Sequence, residues 1–217
     1  MANKKNREPL IHSYMAHRKA IGALAFLMPF ILALGALILF GESLQSSISA
    51  YYYTGMRNVF VGILFIVAMF LFCYRGWGSD DDIVASVSGI FALGVALLPT
   101  TPVNAPRSIT GYLHLTSATL FFGTLIIFSS VLFVRTDQDP IPPVKKARNI
   151  IYKLCGLTMF LCIVLIALYF LFLKKQWPGL EKVKPVFFLE TFALWAFGIS
   201  WLVKGQAILK DDIKKNK

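Results

Sequence analysis

The chain has 217 residues, of which 57% are hydrophobic and only 15% are charged, and its formal net charge is +11. Soluble domains are about 45–50% apolar and about 25% charged, so this composition excludes an ordinary soluble domain and indicates an integral membrane protein. The three cysteines lie inside apolar runs without CxxC or Cys/His spacing, which excludes a disulfide framework and a thiolate metal site.

An apolar helix over about residues 20–41 is the first predicted element, and a basic segment, residues 1–19, precedes it. The run "AIGALAFLMPFILALGALILF" contains about 20 residues without a charge, enough to cross a hydrocarbon core about 30 Å thick. A signal peptide has a shorter apolar part, about 7–15 residues, with a cleavage site between small residues after it. Because this run has neither property, we expect a retained membrane span.

The loop that follows is rich in hydrogen-bonding side chains and contains the stretch "SSISAYYYTGMRNVF", which begins at residue 46. Tyrosine favours the headgroup zone of a bilayer, but three in a row on a helix cannot all face lipid. Arginine binds phosphate through a bidentate fork, so we expect an outward-facing polar pocket that takes the anionic headgroup of a membrane lipid. The predicted ligand-binding residues of this region are Ser49, Tyr51, Tyr52, Tyr53, Thr54, Arg57 and, before the fourth span, Arg107.

Five further apolar segments follow, separated by stretches rich in Gly, Pro, Ser and Asp. They cover about residues 58–75, 83–100, 109–134, 149–173 and 185–204. The pattern predicts an all-α bundle of six transmembrane helices within residues 20–204, with a basic tail over residues 205–217. The third segment carries small residues at helical spacing, which is typical of close helix packing in membranes: Ala85, Ser88, Gly89, Ala92 and Ala96.

Two ionisable residues, His114 and Glu190, fall inside the fourth and sixth predicted spans. A charge at the centre of a span costs at least about 2.5–3.5 kcal/mol, so such residues indicate function by default. Each lies about five residues inside its span from the outer side, which places both roughly 7–8 Å below the outer boundary. We expect them to form the floor of the pocket; the alternatives are a pair that only stabilises the bundle, or two interfacial groups that reach water separately.

Lysine and arginine are distributed unevenly between the two sides of the predicted bundle. Six spans place both termini on one side, and that side receives 16 of the 22 basic residues. By the positive-inside rule this predicts cytoplasmic termini, and it explains the net charge without a nucleic-acid partner. The opposite side receives Arg57, Arg107, Lys174, Lys175, Lys182 and Lys184.

No GxSxG, HExxH, GxGxxG or phosphate-loop motif occurs in the sequence. A Ser/His/acid group would need Ser117 or Ser49 beside His114 and Glu190, and spacing alone does not establish one. We expect neither a cofactor nor a metal site, because only one histidine lies in the predicted spans.

Three functions stay open. The first is a lipid-binding, lipid-regulatory or scaffold protein, which is the preferred interpretation. The second is an enzyme of acyl or headgroup transfer with His114 as the general base. The third is a proton-coupled transporter in which Glu190 titrates.

Short motifs resemble those of the six-span family that includes the damage-regulated autophagy modulators and the Sfk proteins. The first motif is "ISAYYYT", which is followed by Phe60 at the start of the second span. The others are Gly89 and Gly94 in the third span, His114 with Ala118 and Phe122 in the fourth span, and Glu190 in the last span. The similarity spans about residues 20–205, and the short loops suit a bacterial member of unknown function. Two positions depart from the family pattern: Ala50 stands where an aspartate is usual, and Thr191 stands where an aromatic residue is expected. The resemblance implies a connection to membrane lipids and makes His114 and Glu190 family features.

Overall fold

A computed structural model describes the backbone of residues 4–102, 105–106 and 108–210, with side chains from residue 14 onward in these ranges. The described chain is helical and contains no β-strand, which confirms the all-α prediction for this part. Six long helices follow one another: α1 (Lys4–Phe40), α2 (Arg57–Phe72), α3 (Ser79–Leu97), α4 (Ile109–Ile127), α5 (Pro143–Leu168) and α6 (Pro185–Lys204). They coincide with the predicted segments within a few residues, except that α1 and α5 begin further upstream.

Four stretches of helix are long and apolar enough to cross a membrane, which indicates a membrane-associated helical protein. They are Tyr14–Phe40, Ile109–Leu132, Pro143–Gln176 and Pro185–Lys204. The second and third of these include π-helical turns that continue α4 (Phe128–Leu132) and α5 (Tyr169–Leu173). The helix α2 is apolar but has only 16 residues.

Each long helix packs against its neighbours in sequence, and α6 returns to pack against α1, so the bundle closes as a ring. The backbones of α1 and α6 approach each other most closely at Gly22 and Gly198. A Cβ atom on Gly198 would lie 2.7 Å from the carbonyl oxygen of Gly22, and one on Gly22 would lie 2.8 Å from the carbonyl oxygen of Gly198. Small residues of this kind let membrane helices touch backbone to backbone, and packing is what holds such helices together in lipid.

The small residues of α3 lie in the helix contact that their spacing predicts. Ala85, Ser88 and Ala92 are fully buried, and a Cβ atom on Gly89 would lie 2.8 Å from the ring of Phe72 on α2. The start of α3 is capped by Asp81, whose Oδ2 accepts hydrogen bonds from the backbone N–H groups of Trp77 and Gly78. A carboxylate at this end also interacts favourably with the helix dipole.

The connections lie at two ends of the bundle. One, called here the cavity end, carries the α1–α2 loop (residues 41–56), the α3–α4 connection and the segment that leads from α5 to α6. The other, called here the basic end, is where α1, α3 and α5 begin and α2, α4 and α6 end. An aromatic cluster around the fully buried Trp201 fills the core near the basic end, with ring centroids 5.2–5.9 Å away on Tyr74, Phe128, Phe133 and Phe197.

Candidate functional site

The first turns of α6 hold the α1–α2 loop in place. The ammonium group of Lys184 donates a hydrogen bond to the carbonyl oxygen of Leu44. The backbone N–H of Phe187 donates a second hydrogen bond, of 3.1 Å, to the carbonyl oxygen of Ser46. Lys184 has a positive φ of 51°, a left-handed conformation that turns the chain into α6. The N–H groups in the first turn of a helix have no acceptor within the helix. The loop supplies an acceptor to one of them, the N–H of Phe187.

Glu190 continues this contact one turn further along α6. Its Oε2 accepts a hydrogen bond from the backbone N–H of Ile48 at 2.5 Å, and the backbone N–H of Ser49 lies near enough to interact with the carboxyl group. The two amides begin a 3₁₀ turn, Ser49–Tyr53, in the middle of the loop. The membrane glutamate therefore has a clear structural role, since it caps this turn and fixes the loop to α6.

The three consecutive tyrosines have three different environments. Tyr51 is fully buried and packs on the ring of Phe187. Its hydroxyl accepts a long hydrogen bond from the Gln45 N–H, and burial raises the pKa of the phenol. Tyr52 lies against the Arg57 guanidinium, which donates to its hydroxyl at 2.7 Å and sits 4.3 Å from the ring centroid. Tyr53 is half exposed, and its hydroxyl donates to the Thr100 carbonyl at 2.5 Å.

A cavity of about 810 Å³ opens at the cavity end beside this loop. Of the predicted ligand-binding residues, Ser49, Tyr53, His114 and Glu190 line it. The others lie elsewhere: Tyr51 faces the core, Tyr52 and Arg57 contact each other, Thr54 donates to the Tyr51 carbonyl, and Arg107 lies outside the described residues.

The cavity has a polar mouth and an apolar wall. The wall comes from α4 and the end of α5 and includes Leu115, Ala118, Ile166 and Phe170. Leu115 and Phe170 line the cavity and are also 46% and 39% exposed, so the cavity opens sideways between these helices. The π-helical turn at the end of α5 changes the direction of its side chains here, and such turns are frequent at functional sites.

Three lysines at the mouth were not assigned to the pocket by sequence reasoning. Lys174 forms an ion pair of 3.6 Å with Glu181, Lys184 donates to the α1–α2 loop, and Lys175 has no ionic or hydrogen-bond partner among the described residues. All three belong to the "KKQWPGLEKVK" connector between α5 and α6. The abundance of lysine in this connector was the available signal, but it served only to assign the side of the membrane.

His114 is 3% exposed and reaches the floor of the cavity from α4. Its Nδ1 lies 2.7 Å from the carbonyl oxygen of Leu98, a geometry in which Nδ1–H donates and Nε2 is left as an acceptor. That Nε2 is buried and has no hydrogen-bond partner in the described part of the chain.

His114 and Glu190 line one cavity but do not form a hydrogen-bonded pair. His114 bonds to the α3–α4 connection and Glu190 to the α1–α2 loop. Neither Ser49 nor Ser117 donates to His114, so no Ser/His/acid arrangement is assembled in the described residues; the Ser117 hydroxyl lies against Gly94. Nor do these residues contain a group of three His, Cys, Asp or Glu side chains that could hold a metal ion.

Comparison of the chain with protein-family models, curated protein sequences and solved structures finds no match in any of the three.

Proposed function

We propose that this protein is a six-span membrane protein that binds an anionic amphiphile, a lipid or a lipid-like molecule, in the cavity beside the α1–α2 loop. The observation that carries the proposal is the combination of a lysine-bearing mouth with an apolar wall that opens between α4 and α5. A lipid-regulatory or scaffold role follows from such binding, because the described residues offer no assembled catalytic group.

The size and composition of the cavity support a small amphiphilic ligand. Its volume of about 810 Å³ falls within the range of about 300–1,000 Å³ that is usual for small-molecule sites. Leu115, Ile166 and Phe170 suit an acyl chain that reaches the cavity from the surrounding bilayer.

The mouth supports a negatively charged headgroup. Lys175 has no partner among the described residues, whereas Oε2 of Glu190 already accepts a hydrogen bond from the Ile48 N–H. Ser49 and Tyr53 add hydroxyl groups at the same level. An ion pair with an exposed lysine contributes about 0.2–1 kcal/mol, so Lys175 adds a modest preference for an anionic headgroup.

The proposed orientation places both termini in the cytoplasm and the cavity on the outer face of a bacterial inner membrane. The distribution of lysine and arginine supports it. Membership of the six-span family of the damage-regulated autophagy modulators is part of the same proposal, and it rests on the short motifs around Tyr52, His114 and Glu190.

The geometry at His114 favours binding over acyl or headgroup transfer. A general base needs a nucleophile within hydrogen-bond reach, and neither Ser49 nor Ser117 donates to Nε2. The unpaired Nε2 instead supplies an acceptor at the cavity floor, suited to a hydroxyl or amide group of the ligand.

Native mass spectrometry of the purified full-length protein tests the proposal. Ala118 lines the cavity on α4 and the adjacent Thr119 is exposed on the same helix, so Ala118→Phe and Thr119→Phe form a matched pair. We expect wild type and Thr119→Phe to retain an anionic lipid and Ala118→Phe to lose it. Lys175→Gln should weaken retention about two- to fivefold through the lost ion pair, and Lys153→Gln on the exposed surface of α5 should not.

Equal lipid retention by the two phenylalanine variants would contradict binding in the cavity. Retention of a zwitterionic lipid alone would contradict the anionic headgroup while leaving an amphiphile site in place. Thermal unfolding of all variants shows whether a loss of lipid reflects a loss of fold.

A further inference from the structure

Uncharged polar side chains of the α1–α2 loop line one part of the cavity, apart from the lysines of its mouth. The lysines belong to the connector between α5 and α6, whereas these side chains precede α2. We call them the polar wall: Gln45, Ser46, Ser47, Ser49 and Tyr53. A charged headgroup alone does not account for so many neutral hydrogen-bonding groups at one surface of a site, since a few placed polar groups usually suffice to orient a ligand.

The serines of the polar wall present donors to the cavity. Ser46 and Ser49 are partly exposed, and their hydroxyl groups have no hydrogen-bond partner among the described residues. Oγ of Ser47 accepts from the backbone N–H of Ala50 at 3.0 Å, so its own hydrogen is left to donate. A serine hydroxyl can donate one hydrogen bond and accept two, so each of the three can serve a ligand oxygen.

The other two members of the polar wall present acceptors. Nε2 of Gln45 donates to the carbonyl oxygen of Ser43 at 2.7 Å, and Oε1 of the same amide has no partner in the described part of the chain. The Tyr53 hydroxyl donates to the carbonyl oxygen of Thr100 at 2.5 Å. Because that hydrogen is already used, the phenol oxygen can only accept from a ligand.

A phosphate group by itself matches only part of the polar wall. Its oxygens accept hydrogen bonds, so they would pair with the serine hydroxyls and leave Gln45 Oε1 and the Tyr53 oxygen facing further acceptors. A polar group that loses its water without gaining a partner costs free energy. An alcohol group donates and accepts, so it satisfies both kinds of member. An ammonium group also donates, but it cancels the negative charge for which the lysines of the mouth are suited.

We propose that the polar wall binds the hydroxyl groups of a headgroup, so that the ligand is a lipid whose phosphate is esterified to a polyol such as glycerol. This inference rests on the function proposed above, because it assigns the headgroup of the same amphiphile. The phosphate lies toward Lys175, and the polyol replaces water along Gln45, Ser46 and Ser49. The acyl chain keeps the apolar wall.

Native mass spectrometry with two lipids that differ in their headgroup hydroxyls tests the inference. Phosphatidylglycerol and phosphatidylpropanol with identical acyl chains have the same charge and the same number of headgroup carbons, and phosphatidylglycerol alone has free hydroxyl groups. The full-length protein in a neutral detergent is offered both lipids in equal amounts. We expect phosphatidylglycerol to be retained at least about fivefold more, because one neutral hydrogen bond is equivalent to about that factor.

Matched variants locate the preference. Ser46→Ala/Ser49→Ala removes two donors of the polar wall, and Tyr53→Phe removes an acceptor that a phosphate cannot use; each should lower the preference to about twofold or less. Ser43→Ala removes an exposed hydroxyl of the same loop outside the cavity, and Tyr52→Phe removes the hydroxyl that faces Arg57. These two controls should keep the wild-type preference.

Lys175→Gln separates the charge from the hydroxyls. It should weaken retention of the two lipids by the same factor and leave the preference between them unchanged, because both lipids carry the phosphate that Lys175 faces. Free glycerol phosphate at equal concentration should not displace the lipid, since it leaves the apolar wall unfilled. Displacement would overturn the choice of a lipid as the source of the headgroup.

The remaining outcomes distinguish this inference from the proposed function. Equal retention of the two lipids by wild type would overturn the polyol headgroup and leave the anionic amphiphile in place. Retention of neither lipid would overturn the proposed function, and this inference with it. An equal fall in preference for Ser43→Ala or Tyr52→Phe would trace the effect to the shape of the loop and overturn the polar wall as its source. If thermal unfolding shows that Tyr53→Phe does not fold, the serine variant carries the comparison.

Discussion

A residue predicted to act on a ligand can have a complete structural role of its own, as Glu190 shows. Its Oε2 accepts a hydrogen bond from the Ile48 N–H at the start of the 3₁₀ turn of the α1–α2 loop, so a backbone amide is the partner that holds this side chain. His114 differs from it, because one ring nitrogen is hydrogen-bonded and the other is buried without a partner. Of the two, His114 is the residue with unused bonding capacity at the cavity.

Glu190→Ala should destabilise the protein by about 1–3 kcal/mol, because the Ile48 N–H loses its acceptor in a partly buried position. Glu190→Gln keeps one acceptor oxygen and should cost less. Unfolding in a mixed-detergent titration measures the difference, and limited proteolysis reports whether residues 41–56 become accessible. Equal losses for the two variants, or a loop that resists protease in Glu190→Ala, would contradict the capping role.

The contact between α1 and α6 is the element-scale feature on which the closed ring depends. At each of Gly22 and Gly198, the carbonyl oxygen of the other glycine occupies the space that a Cβ atom would need. This oxygen belongs to the backbone, so it cannot rotate away as the end of a side chain could. Dispersion and close approach of the backbones stabilise helix pairs in lipid. The contact between α1 and α6 therefore stabilises the bundle through close packing.

Gly198→Ala should destabilise the bundle by about 1–3 kcal/mol, since the added methyl group would lie 2.7 Å from the Gly22 carbonyl oxygen. Gly123→Ala on α4 is the matched control, because a Cβ atom there meets nothing within 4 Å. Replacing glycine by alanine at an open helical position should be neutral or stabilise by up to about 1 kcal/mol. Thermal unfolding in detergent compares the two, and a neutral Gly198→Ala would show that the helices can move apart freely.

On the scale of the whole molecule, the two ends of the apolar bundle differ. The cavity end has an amphiphilic opening, whereas at the basic end aromatic rings surround Trp201 and the Lys204 ammonium lies over the ring of Phe133. The helices α2 and α3, with 16 and 19 residues, rise about 24 and 28 Å at 1.5 Å per residue, close to the thickness of a hydrocarbon core. These lengths suit the proposed six spans.

Cysteine labelling tests the proposed topology. In a background with Cys73, Cys155 and Cys162 replaced by alanine, Gly78→Cys reports the basic end and Gly179→Cys the cavity end; both positions have open space for a side chain. An impermeant maleimide should label Gly179→Cys in intact cells and Gly78→Cys only after permeabilisation. Labelling of both from the outside would mean that α2 and α3 do not cross the membrane.

The sequence predicted the helices well because an apolar run of sufficient length has few alternatives in a membrane protein. It also placed His114 and Glu190 at similar depth, and both reach the cavity. It could not pair Glu190 with Ile48, because a backbone N–H carries no signature in the side-chain sequence. Lys175 was overlooked for a related reason, since lysines that follow a span are expected on topological grounds alone.

The contact between α6 and the α1–α2 loop has a consequence for biogenesis. The hydrogen bonds from Lys184 to Leu44 and from Ile48 to Glu190 join residues that are 140 and 142 positions apart. At about 5–20 residues per second, the ribosome delivers the partners of this loop roughly 7–28 seconds after the loop itself. Until then the amides of the loop lack these acceptors, so the mouth of the cavity is completed only when the last helix has been made. A chain truncated before residue 185 would expose this loop to surface proteases and quality control.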